Sequence, residues 1–198
     1  ERAVVGTLYK QVSQKKAIET GMKYYEDKIP KILEAIKPHQ NKTLIVYCWR
    51  GGLRSKIIAT LFDSLKYKTY QLEGGYKSYR KYTKKKLDNF KLKPTLVILY
   101  GLTGVGKTKL LNKLPNSIDL EGLANHRGSL YGGLGLTPNS QKRFESLLLR
   151  DLESKQNNKF LFVEGESRRI GDLIIPEFFW KAMKRGINVL VTQETNKQ

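Results

Sequence analysis

Residues 101–108, GLTGVGKT, constrain the fold of this chain more than any other segment, because they match G-x-x-x-x-G-K-[ST] at every fixed position. The apolar run at 95–100 before them predicts a strand, and residues 107–114 after them show a helical pattern. Glycines in such a loop let successive backbone N–H groups point at phosphate oxygens, and the helix N-terminus adds partial positive charge. The sequence therefore predicts a parallel α/β domain with a phosphate-binding loop, a P-loop. Its predicted diphosphate-binding residues are Gly101, Thr103, Gly104, Val105, Gly106, Lys107 and Thr108.

Polar side chains follow the other predicted strands of this domain. Lys107 is expected to reach the terminal phosphate of a ligand, and Thr108 to hold Mg²⁺. Glu164 ends a predicted strand at 159–163, where an NTPase places an acidic residue. Further candidates for an acid, metal-binding or substrate-binding role are Asp119, Glu121, His126, Arg127, Arg168 and Arg169. A surface salt bridge is the alternative for each carboxylate, and a solvated basic turn for the two arginines at 168 and 169.

The remaining elements of this domain are predicted from hydrophobic periodicity and turn residues. Strands are expected at 117–121 and 187–192, and helices from Asn139 or Ser140 to Leu152 and at 176–185. Four glycines within 128–135 predict a mobile loop.

Cys48, the single cysteine of the chain, follows a predicted buried strand at 43–47. A Gly-Gly turn and a helical pattern come next, and Arg54 completes the spacing C-x5-R. Backbone amides, a helix start and a guanidinium around one sulfur all favour thiolate over thiol. Cys48 and Arg54 are the predicted catalytic residues, and the predicted anion-binding loop is formed by Trp49, Arg50, Gly51, Gly52 and Leu53.

Two chemistries use such a thiol loop, and the spacing does not separate them. In a phosphatase the thiolate attacks phosphorus, whereas in a rhodanese-type transferase it carries a persulfide or its selenium analogue. Packing of Cys48 as a small apolar residue is a third interpretation. Two isolated histidines, His39 in a predicted surface turn and His126, do not favour a zinc site beside one cysteine.

The charge of the chain indicates a polyanionic partner. Lys and Arg number 37 against 18 acidic residues, which gives a formal net charge of +19, and nucleic acid is the commonest partner of such an excess. Residues 76–93 hold eight of the basic residues with three tyrosines, and predict either an RNA-binding helix or a solvated connector. The tRNA-binding candidates are Lys77, Arg80, Lys81, Lys84, Lys85 and Lys86.

Composition argues against a disordered, a membrane-spanning or a disulfide-linked protein. Hydrophobic residues make up 39% of the chain, which argues against disorder, and no apolar run has the roughly 20 residues of a membrane span. One cysteine rules out an internal disulfide, predicts no disulfide-linked partner and suits a reducing cytoplasm.

The sequence also predicts an α/β arrangement for the first part of the chain. Periodic apolar positions predict a helix at 14–37, broken or kinked at Pro30, and a second helix carrying apolar positions between 57 and 65. A strand is expected at 69–72. We predict two parallel α/β domains, at 1–80 and 95–198, joined by a basic linker helix at 81–94.

Five segments together resemble one known family, the bacterial tRNA 2-selenouridine synthases. They are ERAVVGT with YKQ at 1–11, CWRGGLRS at 48–55, LEGGY at 72–76, DLEGLANHRGS at 119–129 and VEGESRRIG at 163–171. The resemblance covers essentially the whole chain. It implies a truncated rhodanese-like domain followed by a P-loop NTPase-like domain, with elements of the family expected before residue 1 and after residue 198.

The resemblance also implies an activity. Members replace the sulfur of wobble 2-thiouridine in tRNA with selenium from selenophosphate, through an S-geranyl intermediate made from geranyl diphosphate. Cys48 is then the rhodanese thiol, Arg54 its anion partner, and residues 101–108 a diphosphate clamp. The implied partners are tRNA and a selenophosphate supplier, with no tightly bound cofactor. Two alternatives stay open from the residues alone: a phosphatase-like domain fused to a P-loop nucleotide kinase, and a non-catalytic RNA-binding module.

Overall fold

The computed structural model describes residues 2–127 and 132–192. The chain divides into two units, Glu1–Tyr76 and Lys77–Gln198. The segment 81–94, predicted as a linker, therefore belongs to the second unit.

The first unit begins with helices and continues as a strand, a helix and a strand. Its elements are α1 (Arg2–Gln11), α2 (Gln14–Glu26), α3 (Ile29–Ile36), a 3-10 helix (Lys37–His39), β1 (Leu44–Val46), α4 (Leu53–Ser64) and β2 (Thr69–Gln71). Sequence analysis did not predict α1 as a helix. The predicted break at Pro30 is confirmed, because this proline occupies the first turn of α3, where a missing N–H costs no hydrogen bond.

Strands β1 and β2 pair in parallel, with Leu44 opposite Thr69 and Val46 opposite Gln71. Helix α4 makes the crossover between them, as a parallel pair requires. Phe62 of α4 is buried against Tyr67, with ring centroids 6.0 Å apart. This arrangement places residues 48–52 at the C-terminal end of β1.

The second unit contains a four-stranded parallel sheet in the order β4-β5-β3-β8. Its elements are α5 (Gly75–Asp88), β3 (Thr95–Tyr100), α6 (Lys107–Leu111), β4 (Ser117–Ile118), α7 (Leu120–Ala124), α8 (Gln141–Lys155), β5 (Phe160–Glu164), β6 (Arg169–Ile170), β7 (Leu173–Ile174), α9 (Glu177–Lys184) and β8 (Ile187–Leu190). The prediction of α/β architecture with parallel sheets is confirmed.

Strand β3 is central, and Leu96, Val97, Ile98 and Leu99 are all buried. Burial of consecutive residues is typical of a parallel strand covered on both faces. One face packs against a cluster that includes Phe144 and Phe179, and the other against Leu111 of α6.

Strand β4 and the β6–β7 hairpin differ from what the sequence predicted. Strand β4 is shorter than the predicted 117–121, because Asp119 caps helix α7 by accepting a hydrogen bond from the Gly122 N–H. The antiparallel β6–β7 hairpin was not predicted. The predicted mobile loop at 128–135 lies partly outside the described residues, since these include 132–135 and not 128–131.

Helix α5 is packed along one face and ends at Asp88, before the end of the linker helix predicted at 81–94. Thr83 and Leu87 are buried, and Leu87 belongs to the core cluster of the second unit. Within the described part of the chain, no helix combines the length and apolar character that a membrane span needs.

Candidate functional site

The sulfur of Cys48 lies among hydrogen-bond donors at the C-terminal end of β1. The Ser55 hydroxyl is 3.4 Å from Sγ, sharing its proton with the Gly52 carbonyl at 2.9 Å. Backbone N–H groups of Arg50, Gly52 and Ser55 also donate to the sulfur. Ser55 is buried, and its oxygen accepts a 2.9 Å hydrogen bond from Gln71 Nε2. Donors converging on one sulfur favour its charged form.

The ionisation of Cys48 reflects two opposing effects. Burial by itself raises the pKa of the thiol. The hydrogen bonds from Ser55 and from the backbone amides lower the pKa by more than burial raises it, so that it falls to about 7. A large fraction of the sulfur is therefore thiolate at neutral pH. The side chain is half-buried, so the sulfur is not enclosed in the core.

The loop after Cys48 rests directly on the turn after β2. Gly75 has a φ of +60°, and a Cβ there would lie 2.2 Å from the Cys48 carbonyl oxygen and 2.3 Å from the Gly51 nitrogen. The Tyr76 N–H donates to the same carbonyl oxygen at 2.9 Å. Only glycine fits this approach. Gly75, Ser55 and Gln71 were not among the predicted site residues.

Other side chains surround this thiol loop, residues 48–54. Arg54, the predicted anion partner, is exposed. Burial raises the pKa of Tyr25 in α2, while Arg54 lowers it and Cys48 raises it. The charges of Arg54 and Cys48 therefore act on Tyr25, although Tyr25 lies far from both residues in the sequence. Trp49 is 40% exposed, and its ring centroid is 5.7 Å from that of Tyr76.

Residues 101–108 form the glycine loop between β3 and α6. Gly101, Gly104 and Gly106 have φ values of 152°, 86° and 95°, which favour glycine. A Cβ on Gly101 would lie 2.5 Å from the Val191 carbonyl oxygen, whereas one on Gly104 or Gly106 would meet open space. The loop is thus fixed at its start and open further along.

Lys107 and Thr108 both contact the Glu164 carboxylate. Lys107 Nζ donates to the carbonyls of Gly101 at 2.9 Å and Leu102 at 3.2 Å, and lies 3.7 Å from Glu164 Oε1. The Thr108 hydroxyl donates to Glu164 Oε2 at 3.3 Å. The ammonium group is thereby held over the loop, where an incoming phosphate oxygen can replace a carbonyl partner.

A carboxylate cluster lies beside this lysine. Single oxygens of Glu121, Glu164 and Glu166 lie within 4.8 Å of one another. Burial, followed by the charges of Glu121 and Glu164, raises the pKa of Glu166 to about 7, against the opposing effect of Lys107. Burial also raises the pKa of Glu164. Sequence analysis identified the first two carboxylates and missed Glu166, which follows β5 by two residues.

Asp119 and His126 lie outside the cluster formed by the three glutamates. Asp119 caps α7, and its charge acts on both Glu164 and Glu166. The His126 ring packs against Gly171, where a Cβ would lie 2.8 Å from Nε2, and its buried Nδ1 has no hydrogen-bond partner among the described residues.

The three candidate arginines of this unit have mainly local contacts. The Arg127 side chain is exposed, and its backbone N–H donates to the Gly132 carbonyl at 3.0 Å. Arg168 is exposed and lowers the pKa of Glu177 together with Lys181, which is the main cause. Arg169 Nε donates to the Gly171 carbonyl at 3.2 Å, and Asp172 lies 3.8 Å away.

The RNA-binding candidates of α5 fall into two groups. Lys77, Lys81, Lys84, Lys85 and Lys86 are exposed. Arg80 instead forms an ion pair with Glu145 and donates to the Lys142 carbonyl at 3.1 Å. Arg80 is therefore used inside the second unit and does not belong to the exposed lysine face.

Comparison with known proteins identifies the family of the chain. A family model described as the tRNA 2-selenouridine synthase AAA domain matches residues 94–198, more than half of the chain. This chain belongs to the tRNA 2-selenouridine synthase family. Among curated tRNA 2-selenouridine synthases, that of Nitrosomonas eutropha is 35% identical over 99% of this chain and 53% of its own length. The corresponding values are 37%, 98% and 54% for Shewanella piezotolerans, and 36%, 96% and 56% for Hydrogenovibrio crunogenus.

The chain thus spans about half the length of the curated synthases it matches. One solved structure, the N-terminal domain of a protein described as ATP/GTP-binding from Clostridium difficile 630, is 42% identical. It covers 41% of this chain and 64% of its own, with a TM-score of 0.39. At that score the likeness supports no argument about the fold, and membership of the synthase family rests on the sequence matches.

Proposed function

We propose that this chain takes part in converting wobble 2-thiouridine of tRNA to 2-selenouridine through an S-geranyl intermediate, using geranyl diphosphate and selenophosphate. The observation that carries the proposal is the Cys48 sulfur, surrounded by donors that lower its pKa to about 7. A thiol placed only for packing would not be supplied with these donors. Family membership supports the tRNA substrate, because the relatives are named tRNA 2-selenouridine synthases.

The thiol loop is proposed as the rhodanese-like selenium site. Inward-facing amides that stabilise a thiolate also suit a tetrahedral oxyanion, so selenophosphate fits the same loop. Arg54, the last residue of the loop, is exposed, and its guanidinium is proposed to pair with the oxygens of such an anion.

The glycine loop is proposed as the site of geranyl transfer. The 2-thiouridine sulfur attacks the allylic carbon of geranyl diphosphate, and a carbon–sulfur bond forms while the carbon–oxygen bond breaks with its electron pair passing to diphosphate. The N3 proton of the thiouridine is released to water, so the alkylated base is neutral. Lys107 and the loop amides stabilise the negative charge that develops on this leaving group. The open space beside Gly104 and Gly106 leaves room for the phosphates.

The residues beside the glycine loop fit Mg²⁺, since hydroxyl and carboxylate oxygens are the ligands this ion prefers. Thr108, Glu164, Glu121 and Glu166 would hold it. When bound, the ion would neutralise charge on the departing diphosphate.

Two substitutions test the proposal, because each removes a group from one loop and should affect one reaction step. Lys107→Ala should slow geranylation by about 100-fold or more, because it removes a positive charge from the leaving group. Cys48→Ser should abolish selenouridine formation and leave geranylation intact. The measurement is mass spectrometry of wobble nucleosides after incubation of thiolated tRNA with geranyl diphosphate and selenophosphate.

Lys109→Ala is the matched control, because Lys109 is exposed on the same short helix. Normal geranylation by the Lys107 variant would show that the glycine loop takes no part in geranyl transfer. Normal selenouridine formation by the serine variant would show that Cys48 takes no part in selenium incorporation.

A second candidate, a phosphatase-like domain fused to a nucleotide kinase, is favoured by the contact of Thr108 with Glu164, which resembles a Mg²⁺–nucleotide site. Phosphoryl transfer from ATP, with no reaction of geranyl diphosphate, would select this candidate over the first.

A further inference from the structure

A groove of about 710 Å³ runs beside helix α5 in the second unit. Its volume lies in the range of small-ligand pockets, roughly 300–1,000 Å³. The lining residues used below are Tyr82, Lys85, Lys86, Phe90, Lys91 and Gln156. None of them belongs to the thiol loop or the glycine loop.

Aromatic and basic side chains are combined in this groove. Tyr82 is 50% exposed, and Lys86 Nζ lies 5.5 Å from the centroid of its ring. Phe90 is backed by Phe178, with ring centroids 5.7 Å apart. Tyr82 therefore offers an exposed ring for stacking, and Phe90 offers a ring that Phe178 supports.

The charge of the groove is positive. Lys86 lies 3.5 Å from Glu153, the one acidic residue among the lining residues, and offsets its charge. Lys85 and Lys91 are exposed, and Lys77, Lys81 and Lys84 continue the basic surface along α5. An extended polyanion complements such a surface better than a single small anion.

Gln156 also lines the groove. Its Nε2 donates to the Lys91 carbonyl, which holds the backbone of one of the groove lysines. Lysines alone would suit any phosphate, whereas the two aromatic rings favour a nucleotide, because its base has a flat face to stack.

We infer that this groove binds an unpaired nucleotide of the RNA substrate, with its base stacked on Tyr82 and its flanking phosphates on Lys85 and Lys91. The inference rests on the proposed function, which makes tRNA the substrate, and adds a second contact away from the reacting base. RNA recognition commonly uses unstacked bases on aromatic side chains.

The test measures binding of an unmodified tRNA transcript by fluorescence anisotropy at one salt concentration. Tyr82→Ala should weaken binding by about tenfold, because one stacked base is lost, while Tyr82→Phe should bind like the unsubstituted chain. Neither should weaken binding of a fully paired RNA duplex. The double variant Lys85→Gln, Lys91→Gln should weaken binding more than the control Lys113→Gln, Lys184→Gln, which removes the same charge from exposed positions outside the groove.

The results separate this inference from the function on which it rests. If the unsubstituted chain binds the transcript but Tyr82→Ala binds equally well, or if the two lysine pairs behave alike, the groove is not an RNA site. Competition by polyglutamate as effective as that by tRNA would assign the surface to an acidic protein and overturn the inference. A chain that binds no tRNA at all would contradict the proposed function as well.

Discussion

At the scale of single residues, the reactivity of Cys48 depends on Ser55. The hydroxyl of Ser55 is the largest of the contributions that lower the pKa of Cys48, and it acts against the effect of burial. A thiol with a lowered pKa is thiolate above that pKa and loses reactivity as the pH falls through it. The structure therefore predicts both a pH at which the sulfur becomes reactive and the side chain that sets it.

The rate of Cys48 alkylation by iodoacetamide should rise with pH around a midpoint of about 7. In Ser55→Ala the midpoint should move upward by about one pH unit, because one hydrogen bond to a charged group is lost. Ser64→Ala is the control, since the Ser64 hydroxyl on the same helix donates only to the Leu61 carbonyl in the structure. A midpoint above 8 in the unsubstituted chain would contradict the assigned donors.

The sequence identified the thiol of this site and missed the residues that lower its pKa. Cys48 and Arg54 share one local spacing, which is visible in the sequence. Gln71 and Tyr25 reach the loop from other elements, and no spacing encodes such contacts. Glu166 was missed for a different reason: its raised pKa depends on burial, which a sequence does not show.

At the scale of elements, the turn after β2 determines the shape of the thiol loop. The Cys48 carbonyl accepts the Tyr76 N–H, and Gly75 lies where any side chain would overlap the loop backbone. The two segments are adjacent because β1 and β2 pair in parallel, so their C-terminal ends meet at one edge.

Gly75→Ala should therefore disrupt the loop, although residue 75 lies outside the loop in the sequence. Its left-handed φ and its overlap with Cys48 should destabilise the first unit by about 2 kcal/mol or more, measured by urea denaturation, and should slow Cys48 alkylation at pH 7. The matched control is Gly6→Ala in α1, where a Cβ meets nothing within 4 Å. Equal behaviour of the two variants would show that the turn does not support the loop.

Elements with a strong local pattern were predicted, and short ones were not. The apolar run of β3 and the periodicity of α8 identified these elements. Helix α7 has only five residues, too few for periodicity to be seen, and its Asp119 cap looked like a metal ligand in the sequence. The β6–β7 hairpin has two-residue strands and gives no alternating pattern.

At the scale of the whole molecule, the net charge of +19 should control association with tRNA. Each phosphate contact releases condensed counterions, so the affinity falls steeply with salt. With six or more contacts, the association constant should drop by about 1,000-fold between 50 and 200 mM salt. Fluorescence anisotropy over a salt series measures the slope, and a flat response would exclude phosphate contacts as the source of affinity.

The α/β class with parallel sheets followed from the sequence, but the place of residues 81–94 did not. Charge suggested a connector at 81–94, because the exposed lysines dominate that segment. The burial of Thr83 and Leu87 places it in the second unit instead, and one buried stripe among many lysines is hard to recognise in a sequence.

Strand β3 pairs with β5 and β8, and the first glycine of its loop lies against the carbonyl of Val191. During translation, residues 101–108 leave the ribosome long before these partners. Because Gly101 lies against Val191 and β8 pairs with β3, we expect the glycine loop to reach its final shape only after residue 191 has emerged. A nascent chain stalled before that point would carry the complete motif without the surroundings that shape it.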